Sequence, residues 1–208
     1  MNRNIIILIT FSLFTFVLIT FFVMTNEVLI FDTVIREFIY SFQSDKLTFL
    51  LTYITYIGNW QTISILCLMF LLYKLTRISF GIPLTISAII STILQKTLKG
   101  FFVRQRPDLY LHLIQQGGYS FPSGHALTSL VFYGMIIFLC QQNVKNKTIT
   151  NTVTVLLSFL IFLIGFSRIY LGVHYPTDVL GGWTIGICLL IILAYAFLSF
   201  KLKNLDLR

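Results

Sequence analysis

Apolar runs of bilayer length recur through this chain, and they constrain its fold more than any other feature. A helix needs about 20 residues to cross the hydrocarbon core. Residues 5–24, 78–98, 153–166 with their flanks, and 179–200 supply four such runs. Two stretches are less regular. Residues 47–73 exceed one crossing and are broken at Gly58-Asn59-Trp60, so that crossing is expected to start near Trp60. Residues 126–140 fall short, so their helix is expected to begin a few residues earlier. The sum is six transmembrane helices: an all-α, polytopic membrane protein, with residues 1–208 expected to form one integral membrane domain. The first run is longer than the about 7–15 apolar residues of a signal peptide and has no small-x-small cleavage site after it, so it reads as a retained anchor.

Composition agrees. Charged residues make up 11% of the chain, against about 25% in a soluble domain, so lipid is the expected solvent for most of the surface. Cys67, Cys140 and Cys188 all fall inside apolar runs and form no C-x-x-C pair. They read as small buried hydrophobes rather than disulfide or metal ligands.

The net charge of +8 would suit nucleic acid, but its distribution follows the crossings instead. One side carries Arg3, Lys74, Arg77, Lys145, Lys147, Lys201, Lys203 and Arg208 against Asp206 alone. The other carries Arg36, Lys46, Lys96, Lys99, Arg104, Arg106 and Arg168 against Glu27, Asp32, Glu37, Asp45, Asp108 and Asp178. Excess Lys and Arg mark the cytoplasmic side. Both termini, with the tail 201–208, are therefore expected on the cytoplasmic side of a cell membrane, and no nucleic-acid partner is expected.

Between the first two crossings, Phe31, Val34, Ile35, Phe38, Ile39 and Phe42 recur at helical spacing, with Asp32, Arg36, Glu37 and Gln43 between them. This pattern predicts an amphipathic helix lying at the outer interface. It would serve either as a brace or as a platform guiding lipid head groups.

Three polar clusters fall on that same outer side, where ionisable groups at membrane depth are functional candidates. The first holds Lys99, Arg104, Arg106 and Pro107; the second is Pro122-Ser123-Gly124-His125; the third holds Ser167, Arg168, His174 and Asp178. Lys99, Arg106 and Arg168 are suited to phosphate oxygens, since arginine offers a planar fork and lysine a point charge. Ser123 and Gly124 at a helix start would add a hydroxyl and backbone N–H groups. Of the two histidines, one can attack phosphorus while the other protonates the departing oxygen. With Pro176 at the first helical position, Asp178 would lie one turn below His174 and accept its Nδ1–H, leaving Nε2 to attack. The two histidines with Asp178 are the one set able to hold zinc, and three nearby cations oppose it; no metal and no cofactor are expected.

The pattern K-x6-RP, PSGH and SR-x5-H-x3-D resembles that of the type 2 phosphatidic acid phosphatase superfamily, and all three parts match in order without a substitution. They span residues 99–178, and the six-crossing layout extends the resemblance over nearly the whole chain. The resemblance implies His174 as nucleophile, His125 as general acid and Asp178 as the partner of His174. It implies that Lys99, Arg106, Ser123, Gly124 and Arg168 grip phosphate. It further implies a metal-independent hydrolase at the extracytoplasmic face, acting on the phosphomonoester or pyrophosphate of a membrane lipid. Phosphatidylglycerophosphate, undecaprenyl pyrophosphate or phosphatidate would be its substrate, with no protein partner. Vanadate-dependent halide oxidation and a non-catalytic lipid-phosphate-binding scaffold are the alternatives on the same fold.

Elsewhere, His112 reads as a solvated loop residue and Lys96 as a side chain snorkelling to the head groups. Arg104 reads as either a surface residue or a contact to a second phosphate. Trp60 and Trp183 read as membrane packing or interfacial anchors.

Overall fold

The computed structural model describes residues 3–25 and 29–205, with side chains to residue 200. Glu27, Asp206 and Arg208, and the side chains of Lys201 and Lys203, lie outside the described residues, so their share of the charge asymmetry does too.

Eight α-helices follow one another: α1 (Arg3–Thr25), α2 (Ile30–Tyr40), α3 (Asp45–Ile57), α4 (Trp60–Leu72), α5 (Ile82–Phe102), α6 (Gly124–Asn143), α7 (Lys147–Tyr170) and α8 (Pro176–Leu205). A π-helical turn, Arg77–Gly81, leads into α5. Among the described residues there is no strand. Five helices are long and apolar enough to cross a membrane singly, and the bent pair α3–α4 brings the total to six.

That pair differs from expectation. The helix does begin at Trp60, but α4 has 13 residues, about 20 Å at about 1.5 Å per residue, short of the roughly 30 Å hydrocarbon core. Bilayer length is reached only together with α3, across a bend of 47°. Gly58 sits at the break, where a Cβ would lie 2.7 Å from Ile164 Cγ2 and 3.3 Å from His125 Cδ2. The glycine lets α3 close onto α6 and α7.

The centre of the bundle is α6. In its apolar window 56% of residues are buried, against 17% in α7, and Leu127, Val131 and Met135 are wholly enclosed. Apolar burial does not drive helices together in lipid, so close backbone approach must. The glycines of α8 permit it. A Cβ on Gly182 would lie 2.7 Å from the Ser123 carbonyl, and one on Gly186 would lie 3.3 Å from Leu130. Trp183 packs over Gly165 of α7. Phe16 of α1 stacks on Phe121 at 5.9 Å, tying the first crossing to the bundle.

The helix α2 forms where the periodicity places it, but its inward side is not what the spacing suggests. Phe31, Val34 and Phe38 point outward and Ile39 is buried. Asp32 is buried as well, at 0% exposure, rather than solvated among head groups. It binds Arg104, the Thr177 N–H and the Thr177 hydroxyl. Gln43 stays exposed but donates to the Tyr170 carbonyl at 2.9 Å.

Candidate active site

The three clusters converge at the end of the bundle where α5 and α7 finish and α6 and α8 begin. Hydrogen bonds hold those ends in register: Ser123 N–H to the Asp178 carbonyl at 2.9 Å, and Leu113 N–H to the Leu171 carbonyl at 3.0 Å. Gly172, at φ +77°, turns the chain between α7 and α8 against the carbonyl of Leu111, where no side chain would fit.

Pro176 opens α8, as its fixed φ allows. Asp178 Oδ2 reaches back to the Tyr175 N–H at 2.8 Å, the reverse half of a capping box. The same oxygen lies 3.2 Å from His174 Nδ1. Ser120 donates its hydroxyl to this carboxylate oxygen and lies 3.3 Å from the same ring nitrogen. On the far edge of the ring, Arg106 Nη1 sits 3.1 Å from Nε2. A guanidinium can only donate, so Nε2 carries the lone pair and Nδ1 the proton. Burial, then Arg106, Lys99, Arg168 and Arg104, hold the His174 ring well below its usual pKa.

Lys99 donates to the carbonyls of Tyr119 at 2.5 Å and Ser120 at 3.4 Å. Arg106 also donates to the carbonyls of Gly117, Gly118, Tyr119 and Val173. Burial lowers its pKa to about 10, which leaves it charged at neutral pH. Arg168, 1% exposed, binds Thr55 Oγ1 at 2.8 Å and Gln116 Oε1 at 2.5 Å. Its Nε and the hydroxyl of Ser123 are buried and make no hydrogen bond within the protein. Such donors are rare in a folded interior and are apt for a ligand. Gly124 is the first residue of α6.

A cavity of about 920 Å³ reaches this cluster. Lys99, Arg106, Gly124, His125 and His174 line its polar end, and residues of α4 and α5 line the apolar remainder, with the exposed Lys96 on its wall. Arg168 instead lines a smaller neighbouring cavity of about 390 Å³, and Gln116 stands on the wall of both. Among the described residues, no three His, Cys, Asp or Glu side chains gather closely enough to hold a metal ion.

Several side chains here were not singled out by sequence. Asn59 Oδ1 meets His125 Nε2 at 2.5 Å; its signal was the break between α3 and α4. Ser120, Thr55 and Gln116 carry no motif at all. Arg104 corrects its reading as a surface or phosphate-binding residue. It is 6% exposed and bridges Asp178 at 2.7 Å and Asp32 at 2.8 Å, with its guanidinium 4.2 Å from the Tyr175 ring centre. It follows Val103, whose φ of +52° is unusual for a β-branched residue. His112 is half-buried rather than solvated and bonds the Pro107 carbonyl at 3.0 Å.

The family model described as the PAP2 superfamily matches residues 80–201. Phosphatidylglycerophosphatase B of Bacillus subtilis is 37% identical over 101 residues, covering 47% of this chain and 48% of the relative. Undecaprenyl-diphosphatase of Sulfolobus acidocaldarius is 35% identical over 121 residues, covering 56% of this chain and 54% of the relative. The chain thus spans about half the length of the curated relatives it matches. A crystal structure of a transmembrane PAP2-type phosphatidylglycerolphosphate phosphatase from Bacillus subtilis superposes with a TM-score of 0.82 at 27% identity. That match covers 92% of this chain and 96% of the other.

Proposed function

Because the chain belongs to the PAP2 superfamily, we propose that it is a membrane lipid phosphatase whose His174 attacks phosphorus. The substrate class is a phosphomonoester or pyrophosphate on a lipid, with phosphatidylglycerophosphate and undecaprenyl pyrophosphate the first to test. The observation that carries this reading is the set of partners around one imidazole. Asp178 holds Nδ1, and Nε2 faces Arg106 on the wall of a cavity that also presents Lys99, Gly124 and His125.

In the proposed reaction, the Nε2 lone pair forms an N–P bond as the P–O bond to the lipid breaks. His125 gives a proton to the departing oxygen. A water molecule then attacks phosphorus, His125 takes its proton, and the N–P bond breaks to release phosphate. The carboxylate of Asp178 stabilises the positive charge on the ring between the two steps. Lys99, Arg106, Arg168, Ser123 and the N-terminus of α6 hold the equatorial oxygens, the main source of rate in phosphoryl transfer. The apolar cavity walls between α4 and α5, including Ile63, Cys67, Ala88 and Ile93, suit the lipid chain.

The reading places the site on the extracytoplasmic face, with both termini inside. It is supported by Lys74, Arg77, Lys145 and Lys147 lying in or beside the connections at the opposite end of the bundle. The deciding experiment measures phosphate release from both lipids in EDTA by wild type and His174→Ala. Release by wild type alone is expected; equal release by the variant would remove His174 from the chemistry.

A further inference from the structure

Behind the catalytic pair lies a second layer of charge. Asp178 has two carboxylate oxygens with separate duties: Oδ2 takes His174, Ser120 and the Tyr175 N–H, while Oδ1 takes Arg104. Arg104 Nη1 also donates to Thr177 Oγ1 at 2.8 Å, and its Nη2 goes to Asp32. Asp32 then closes the ring by accepting the Thr177 N–H at 2.9 Å and its hydroxyl at 2.7 Å. Asp32, Arg104 and Asp178 are all buried, so their charges act on one another with little screening.

The charge balance gives this arrangement a consequence. Arg104 paired with Asp178 alone would be neutral, and the field of the carboxylate at His174 would be partly offset. With Asp32 on its other edge the trio carries a net charge of −1. Part of the negative field that a cationic ring needs is thereby restored. Asp32 sits on α2, outside the matched family segment 80–201, and its helix turns Phe31, Val34 and Phe38 outward.

We infer that Asp32 is a positioning residue for the reaction: through Arg104 it orients Asp178 and preserves its negative field on His174, so the interfacial helix α2 completes the catalytic pair. This rests on the phosphohistidine reading above. The groups facing His174 are Lys99 from α5, Arg104 and Arg106 from the following loop, His125 from α6, Arg168 from α7 and Asp178 from α8.

The test compares pH–rate profiles of detergent-solubilised wild type, Asp32→Asn, Asp32→Glu and His174→Ala on phosphatidylglycerophosphate, with thermal unfolding of each. Removing the Asp32 charge disfavours the imidazolium, so the acid limb of kcat/KM in Asp32→Asn should move to lower pH. About half a unit is expected, a fraction of the about 1–3 units that a directly contacting charge produces. Its kcat should fall about 10- to 100-fold, by analogy with the partners that orient metal-bound histidines, with KM little changed. Asp32→Glu should restore the limb. An acid limb that stays in place in a folded Asp32→Asn, or a limb that Glu does not restore, overturns the inference. If Asp32→Asn does not fold, Arg104→Lys decides, because an ammonium keeps the charge but cannot bridge both acids. Its kcat should fall with the limb in place, and an unchanged kcat overturns the inference. Wild type with no more turnover than His174→Ala would instead overturn the phosphatase reading itself, and the positioning role with it.

Discussion

Arg106 Nη1 and His174 Nε2 stand 3.1 Å apart, so a cationic fork touches the atom proposed to attack. The contact fixes the tautomer and places positive charge where phosphate oxygens would arrive. Arg106→Lys keeps a charge but gives up the fork and its carbonyl contacts. Its kcat should fall about 10²- to 10³-fold, the cost of losing one transition-state donor. Initial rates of phosphate release check this, and a near-wild-type lysine variant would refute it.

The depressed pKa of His174 has a sign that can be worked out. An ordinary histidine in the unfolded chain takes a proton as pH falls through about 6.5, whereas the buried ring resists it. The unfolded state then binds more protons, so this contribution is full above about pH 6.5 and declines as pH drops toward the lower folded value. Thermal unfolding in detergent should show lower midpoints at acid pH, with a shallower decline in His174→Gln. The acid limb of kcat/KM should lie below pH 6.5, since attack needs only the neutral ring.

Asn59 Oδ1 accepts from His125 Nε2, a contact that orients the ring and would favour the protonated form needed by the proposed general acid. Asn59→Leu should slow turnover about tenfold or more on a lipid phosphate, part of the about 10²–10⁴ supplied by a general acid. With p-nitrophenyl phosphate, whose leaving group needs little protonation, the loss should be much smaller. Equal losses on both substrates would assign Asn59 to packing alone.

Gly182→Ala tests the approach of α8 to α6. In a helix interior this change is worth up to about 1 kcal/mol in favour of alanine. Here the new Cβ meets the Ser123 carbonyl at 2.7 Å and Ala126 Cβ at 3.0 Å. Backbone must move, at a cost of about 1–3 kcal/mol, so the variant should be less stable. Because Ser123 lies at the contact, activity should fall with it; a raised unfolding midpoint would contradict this packing.

Much of the molecule was legible in one dimension. Five of the six apolar lengths, the amphipathic stripe of α2 and the start of α8 at Pro176 all depend on spacings within a few residues, which local backbone geometry turns directly into helices. His174 and Asp178 were readable for the same reason, four residues apart across a helix start. Lys99, Arg106, Ser123, His125 and Arg168 were readable as motifs, and the fold does bring them to one end.

What only the tertiary structure decided is which distant groups complete that site. Arg104 finds Asp32 and Asp178 at separations of 72 and 74 residues, and Arg168 finds Thr55 at 113. No spacing rule carries that information. A charge in a sequence has a sign but no address, and a buried one is tolerable only where packing brings a counter-charge within hydrogen-bond reach. The same packing bent the second crossing at Gly58, where the approach of α6 and α7 leaves no room for a side chain.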